Sequence, residues 1–203
     1  MTDSDDANRA HAAAMKKLQV ERRELMKDKT EKKGLLVVHT GPGKGKSTAA
    51  FGMALRSLGW GFKVGIVQFV KGKWKTGERQ FFAARPDLLT YVVSGEGFTW
   101  DSQDREKDIA AARNGWEHAK AMLADPSYHL VILDELNIAL RYDQLPLDEV
   151  IEGLAARPHQ MHVCITGRDA QPELIDAADL VTEFAQVKHP FEQGFKAQRG
   201  VEF

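Results

Sequence analysis

The sequence lacks several features that would assign it to particular classes of protein. A single cysteine, Cys164, among 203 residues excludes an internal disulfide bond. No run approaches the roughly 18 consecutive apolar residues of a membrane-spanning helix. The N-terminus opens with acidic residues, where a secretory signal needs positive charge. A formal net charge of -1 gives no indication of binding to nucleic acid or membrane. We therefore expect a cytoplasmic enzyme or binding protein.

The composition that remains is that of a folded chain with a distinct N-terminal arm. Hydrophobic residues make up 43% and charged residues 28%, both ordinary for a globular domain. Residues 1–33 differ, because they are rich in the helix formers Ala, Lys, Arg and Glu and poor in apolar residues. Two interpretations stay open: a solvated helix or partly disordered tail, or an arm that folds over a ligand or a neighbouring subunit.

Residues 34–203 form the body, in which apolar, β-branched runs alternate with segments of helical periodicity. Alternating strands and helices predict an α/β fold, with a three-layer, mainly parallel sheet of the P-loop NTPase (RecA-like) type and helices on both faces. The predicted strands are 35–40, 63–70, 88–94, 129–135, 161–166 and 179–184.

The first predicted strand leads into the stretch HTGPGKGKST, His39 to Thr48. Gly45, Lys46 and Ser47 supply the second half of the phosphate-loop pattern G-x-x-x-x-G-K-[ST]. The first glycine, Gly41, comes one residue later than that pattern places it. The setting of strand, glycine-rich loop and helix nevertheless favours a nucleotide loop over a purely structural turn.

This setting gives each part of the loop a predicted role. Glycines let backbone N–H groups form an anion nest, and the following helix points its positive end at the phosphates. Lys46 can reach phosphate oxygens, and Ser47 can ligate Mg²⁺. The residues predicted to bind the nucleotide are Gly41, Pro42, Gly43, Lys44, Gly45, Lys46, Ser47 and Thr48.

A second motif, LVILDEL, places Asp134 and Glu135 at the carboxyl end of an apolar strand. It resembles a Walker B segment, in which a carboxylate helps to hold Mg²⁺ near the phosphates. The predicted metal ligands are therefore Ser47, Asp134 and Glu135. An ordinary helix cap after the strand is the alternative, and the acidic pair would also suit an ATPase in which Glu135 activates water.

A third stretch, SGEGFTWD, carries Phe98 and Trp100 in a glycine-bounded loop. Such aromatic residues either cover the edge of the sheet or form a flat apolar platform for a large planar ligand. The residue pattern alone leaves both possibilities open.

Taken together, these blocks resemble the P-loop ATP:corrinoid adenosyltransferases. The shifted loop TGPGKGKSTAAFG is similar to that family's variant T-G-N-G-K-G-K-T-T-A-A-F-G. Further similar blocks follow in the same order from Gly34 to the C-terminus, namely KVGIVQFVKG, GERQ, LLTYVV, GFTWD, LDEL, YDQLPL, RPHQ, ITGRDA and VKHPFEQGFKAQRGVEF.

The resemblance implies a transfer at carbon. In this family the Co(I) of a reduced corrinoid attacks the 5′-carbon of ATP and releases triphosphate, in the biosynthesis or salvage of adenosylcobalamin. The loop and Mg²⁺ would then stabilise the leaving triphosphate. The implied catalytic residues are Lys46, Glu135, Phe98 and Trp100, the two aromatics displacing the lower axial ligand of cobalt. The implied partners are a corrinoid co-substrate, an electron donor that is a flavodoxin-like protein or flavin reductase, and a second copy in a homodimer.

One departure from the family pattern is Pro42, which stands where Asn is common and lacks a backbone N–H for a phosphate. Two other functions remain open from the residues. One is an ATPase or kinase with Glu135 as base, and the other is a nucleotide-dependent protein that delivers a corrinoid without catalysis.

Overall fold

The computed structural model describes residues 3–70, 76–94 and 104–202. The chain forms two compact units, residues 1–32 and 33–203. The first unit contains one helix, α1 (Asp3–Lys27). Its surface carries ion pairs one turn apart, such as Lys27–Glu24 at 2.7 Å, each worth a few tenths of a kcal/mol.

The described residues of the second unit form a six-stranded sheet in the order β3-β2-β4-β5-β1-β6. Every pairing is parallel, which confirms the predicted fold class. The strands are β1 (Leu36–Thr40), β2 (Lys63–Gln68), β3 (Leu89–Val93), β4 (Tyr128–Asp134), β5 (His162–Thr166) and β6 (Leu180–Glu183).

Helices lie between strands that follow one another along the chain. No described helix is long and apolar enough to cross a membrane. The helices that the described residues of this unit form are α2 (Lys46–Gly59), α3 (Gly77–Phe82), α4 (Arg105–Ala124), α5 (Leu136–Arg141), α6 (Leu147–Ala155) and α7 (Pro172–Ala177), with a 3₁₀ turn at Pro190–Gln193. The short helix α5 was not predicted, because six residues carry too little periodicity to be recognised.

Two apolar cores cover the two faces of the sheet. Since successive strand residues point to opposite faces, neighbours in one strand enter different cores. One core joins α4 to the sheet around the fully buried Trp116, and its strand residues include Val38, Val67, Val131, Leu133, Val163 and Ile165. The other joins α2 to the sheet, and its strand residues are Val37, Val64, Ile66, Leu89, Leu130, Ile132 and Cys164. The carboxyl ends of the strands are thereby held at one edge.

Candidate nucleotide and metal site

The phosphate-loop motif lies between β1 and α2, at the carboxyl edge of the sheet. Gly41 and Gly45 have φ values of 95° and 108°, the left-handed region that favours glycine. Gly45 is the N-cap of α2, and no side chain caps this end of the helix. The first N–H groups of α2 are therefore left for a bound anion.

The shifted glycines have a structural explanation in the backbone that follows β6. A Cβ atom on Gly41 would lie 2.7 Å from the carbonyl oxygen of Phe184, and one on Gly43 would lie 2.5 Å from that of Ala185. The N–H of Gly43 donates to the Phe184 carbonyl at 2.6 Å. Gly41 and Gly43 thus allow this segment to pack directly against the loop, and the N–H of Gly43 is engaged within the protein.

The two lysines of the loop have different environments. Lys46 is 6% exposed, and its Nζ donates to the carbonyls of Gly41 at 2.7 Å and Gly43 at 2.5 Å. Burial lowers the pKa of Lys46, and the charge of Glu135 partly opposes that shift. Lys44 is half exposed and pairs with Glu202 at 2.7 Å. Lys46 is therefore the cation built into the loop.

Asp134 ends β4 beside the loop and is almost fully buried. Its Oδ1 accepts from the Thr166 hydroxyl and its Oδ2 from Gln68 Nε2, both at 2.8 Å. The Ser47 side chain also hydrogen bonds to this carboxylate. Burial raises the pKa of Asp134, and these three hydrogen bonds oppose the rise.

Glu135 lies just after the end of β4, whereas the sequence predicted a strand that includes it. Its φ of 61° is left-handed, a conformation that costs a non-glycine residue about 1 kcal/mol or more. Its N–H donates to Thr166 Oγ1 at 3.0 Å. Burial, and then the charge of Asp134, raise the pKa of Glu135 to about 7. A strained, perturbed carboxylate next to the loop lysine is typical of a functional site.

Sequence reasoning missed the polar residues that support this carboxylate pair. Gln68 and Thr166 end β2 and β5, and Arg168 lies close enough to act on the charges of both Lys46 and Glu135. The sequence feature that could have identified Gln68 and Thr166 is a polar residue at the end of an apolar strand. Parallel strands bring their carboxyl ends to one edge of the sheet, so such residues are expected near the site.

The predicted site residues from Gly41 to Thr48, with Asp134 and Glu135, are brought together at this edge. Phe98 and Trp100 lie outside the described residues. Cys164, predicted to be a small buried apolar residue, is fully buried in the core between the sheet and α2, with Sγ 3.8 Å from His39 Nδ1.

Comparison with known proteins gives the family. Residues 32–203 match the family model described as ATP:corrinoid adenosyltransferase BtuR/CobO/CobP. The corrinoid adenosyltransferase of Pseudomonas aeruginosa is 50% identical over 203 residues, covering all of both chains. That of Escherichia coli K12 is 50% identical over 173 residues, covering 85% of this chain and 87% of that protein.

Among solved structures, the flagellar accessory protein FlaH from Methanocaldococcus jannaschii aligns with a TM-score of 0.48 at 13% identity, over 79% of this chain and 76% of that one. The family match covers the whole second unit and includes the loop, Asp134 and Glu135. This chain belongs to the ATP:corrinoid adenosyltransferase family.

Proposed function

We propose that this protein transfers the 5′-deoxyadenosyl group of ATP to the Co(I) of a reduced corrinoid and releases triphosphate. The observation that carries the proposal is the 50% identity, over all 203 residues, with a protein named corrinoid adenosyltransferase. The product would be an adenosylated corrinoid, in the biosynthesis or salvage of adenosylcobalamin.

The loop supports a role for ATP as the adenosyl donor. In the proposed step a cobalt–carbon bond forms and the bond between the 5′-carbon and its phosphate oxygen breaks, so the triphosphate leaves with the electron pair. The negative charge that develops there would be stabilised by Lys46 and by the N-terminal N–H groups of α2. Triphosphate oxygens would replace the loop carbonyls that Lys46 now contacts.

The donor set beside the loop fits Mg²⁺. Ser47 offers a hydroxyl and Asp134 and Glu135 offer carboxylates, the oxygen ligands that Mg²⁺ prefers. The described residues contain no cluster of three His, Cys, Asp or Glu side chains suited to a metal, so phosphate oxygens and water would complete the coordination. When bound, the ion would neutralise charge on the triphosphate.

No protein nucleophile is needed, because the reduced cobalt supplies the electron pair. The single cysteine is unsuited to that task, since burial raises the pKa of Cys164 to about 12. The protein's contribution would be to hold cobalt and the 5′-carbon in line.

Phe98 and Trp100 are proposed to pack beneath the corrin and displace its lower axial ligand, which eases reduction to Co(I). The double variant Phe98→Ala with Trp100→Ala should keep its activity on chemically pre-reduced Co(I) and lose it when Co(II) must be reduced. An equal loss in both assays would contradict this role.

Family membership also supports three proposals about the setting of the reaction. The reductant would be a flavodoxin-like protein or a flavin reductase, the active form a homodimer, and the location the cytoplasm. Co-purification, solution mass and cell fractionation test them separately.

Product analysis tests the proposed function itself. We expect anaerobic incubation with ATP, Mg²⁺ and a reduced corrinoid to give a light-sensitive organocobalt spectrum. ADP with orthophosphate would indicate an ATPase with Glu135 as base, and binding without turnover would indicate a corrinoid-delivery protein.

A further inference from the structure

A chain of side-chain hydrogen bonds crosses three strands at the carboxyl edge of the sheet. The Tyr91 hydroxyl of β3 donates to Gln68 Oε1 of β2 at 3.5 Å. Gln68 Nε2 then donates to Asp134 Oδ2 of β4 at 2.8 Å. The strand register places Gln68 directly beside Asp134, so the contact follows from the pairing of β2 with β4. The chain ends on a carboxylate that also bonds Ser47.

The direction of these bonds is fixed by chemistry. An ionised carboxylate only accepts hydrogen bonds, so the Gln68 amide must turn its NH₂ towards Asp134. Its carbonyl oxygen then faces Tyr91, whose hydroxyl must donate. Burial raises the pKa of Tyr91, which keeps the proton on that hydroxyl. The Gln68 amide consequently has one orientation that satisfies both neighbours.

The backbone holds this amide in place. Ser94 donates to the Gln68 carbonyl through both its N–H at 3.0 Å and its hydroxyl at 3.3 Å. The N–H of Phe69, the next residue, donates to the Asp134 carbonyl at 2.9 Å. The backbone around Gln68 is therefore hydrogen bonded on both sides, and this fixes the position from which the Gln68 side chain reaches Asp134.

We propose that Gln68, oriented by the Tyr91 hydroxyl, is a positioning residue that aims the Asp134 carboxylate at the metal–triphosphate complex. The inference rests on the proposed function only for the identity of that complex. Thr166 holds the other oxygen of Asp134, so the carboxylate is gripped from both sides. A carboxylate free to rotate would bind the ion, directly or through water, less well.

The test measures ATP affinity with Mg²⁺ and with EDTA, by equilibrium dialysis of labelled ATP against the full chain. The ratio of the two dissociation constants is the gain in affinity that the metal provides. Gln68→Met keeps the length of the side chain but removes both hydrogen bonds, and should reduce that gain about tenfold. Tyr91→Phe removes only the hydroxyl, which reaches Asp134 through Gln68, and should reduce that gain about threefold.

A matched control and a double variant separate positioning from general damage. Thr90→Val removes an equivalent hydrogen bond from the adjacent residue of β3, that between Thr90 and Tyr128 at 2.8 Å, and should keep the full gain. The double variant Gln68→Met with Tyr91→Phe should lose no more of the metal-dependent gain than Gln68→Met alone, because Tyr91 acts only through Gln68. Affinity in EDTA should stay the same in all variants.

Three results would overturn the proposal. Gln68→Met could keep the full metal-dependent gain in ATP affinity, or Thr90→Val could lose as much of that gain as Gln68→Met. The third is a Gln68→Met variant whose ATP affinity falls as much in EDTA as it does with Mg²⁺. If Gln68→Met does not fold, Tyr91→Phe decides, and a full gain in that variant overturns the proposal. These measurements need no adenosyl transfer, so an absence of alkylation by the wild type would contradict the proposed function and leave this result standing.

Discussion

At the scale of single residues, the two lysines of the loop have different partners. Lys46 is buried and its ammonium group is satisfied by two carbonyls of its own loop. Lys44 is half exposed, and its partner Glu202 comes from the C-terminal segment. The two lysines therefore differ in how much a bound phosphate can gain from them.

Replacing each lysine in turn tests this difference. Lys46→Ala removes the buried cation that would face the leaving triphosphate, and we expect kcat/KM to fall by about 100-fold or more. Lys44→Ala should have a much smaller effect, because an exposed paired charge contributes little. Steady-state kinetics with ATP and a reduced corrinoid measure both, and equal losses would contradict the assignment of Lys46.

The sequence predicted the residues of the two motifs but not the residues that hydrogen bond to them. The loop and the pair Asp134 and Glu135 were identified because each lies where an apolar strand ends. Gln68 and Thr166 were missed because they are 66 and 32 residues from Asp134 in the chain, and strand register cannot be derived from local pattern. The left-handed backbone of Glu135 was also not predictable, since nothing local requires it.

At the scale of structural elements, the loop packs closely against the backbone that follows β6. Gly43 sits against the carbonyls of Phe184 and Ala185, with no room for a Cβ atom. Gly52, inside α2, has nothing within 4 Å of the position of a Cβ atom. A side chain can therefore be accommodated at position 52 but not at position 43.

Alanine at these two positions should have opposite effects on stability. Gly43→Ala should lower the free energy of unfolding by about 1–3 kcal/mol and weaken ATP binding, because backbone must move. Gly52→Ala should raise it by up to about 1 kcal/mol, since glycine is a poor helix former. Urea denaturation measures both, and a stable Gly43→Ala variant with normal ATP affinity would contradict the packing described.

The entry into β1 depends on a histidine of β5. His162 Nδ1 accepts from the Leu35 N–H at 3.1 Å, which requires a neutral ring with its proton on Nε2. Burial, with smaller contributions from the charges of His129 and Arg157, lowers the pKa of His162 below 6.5. The stability that this contact provides is present above pH 6.5 and is lost as the pH falls through the folded-state pKa.

The wild type should therefore lose stability between about pH 7.5 and pH 5.5 more steeply than His162→Gln, whose side chain does not titrate. Urea midpoints across that range measure the slopes. His159→Gln, on an exposed neighbouring residue, serves as the control and should keep the wild-type slope. Identical slopes for the wild type and His162→Gln would rule out this histidine as the cause.

At the scale of the whole molecule, the order of strands and helices was predictable because apolar runs and helical periodicity alternate along the body. The predicted strands agree with the observed ones to within about two residues. Helix α5 and the contacts of Phe184 and Glu202 with the loop were not predictable, because the helix is short and the segment after β6 is irregular. The fold is thus set by periodicity, and the site by register.

Removing the N-terminal arm tests how the chain is divided. Among the described residues, neither core cluster contains a residue before Leu36. Deleting residues 2–32 leaves both core clusters complete, so the remaining body should still unfold cooperatively in urea. A fall in the midpoint would show that the arm stabilises the body, and a fall in corrinoid turnover alone would favour an arm that acts on the ligand.

The balance between triphosphate and alkylated corrinoid, in a single anaerobic reaction containing ATP and Mg²⁺, distinguishes adenosyl transfer from ATP hydrolysis. The proposed transfer predicts one triphosphate for each light-sensitive adenosyl–cobalt product, with no orthophosphate formed in step with it. Steady release of orthophosphate from ATP, with the reduced corrinoid left unalkylated, would contradict the account.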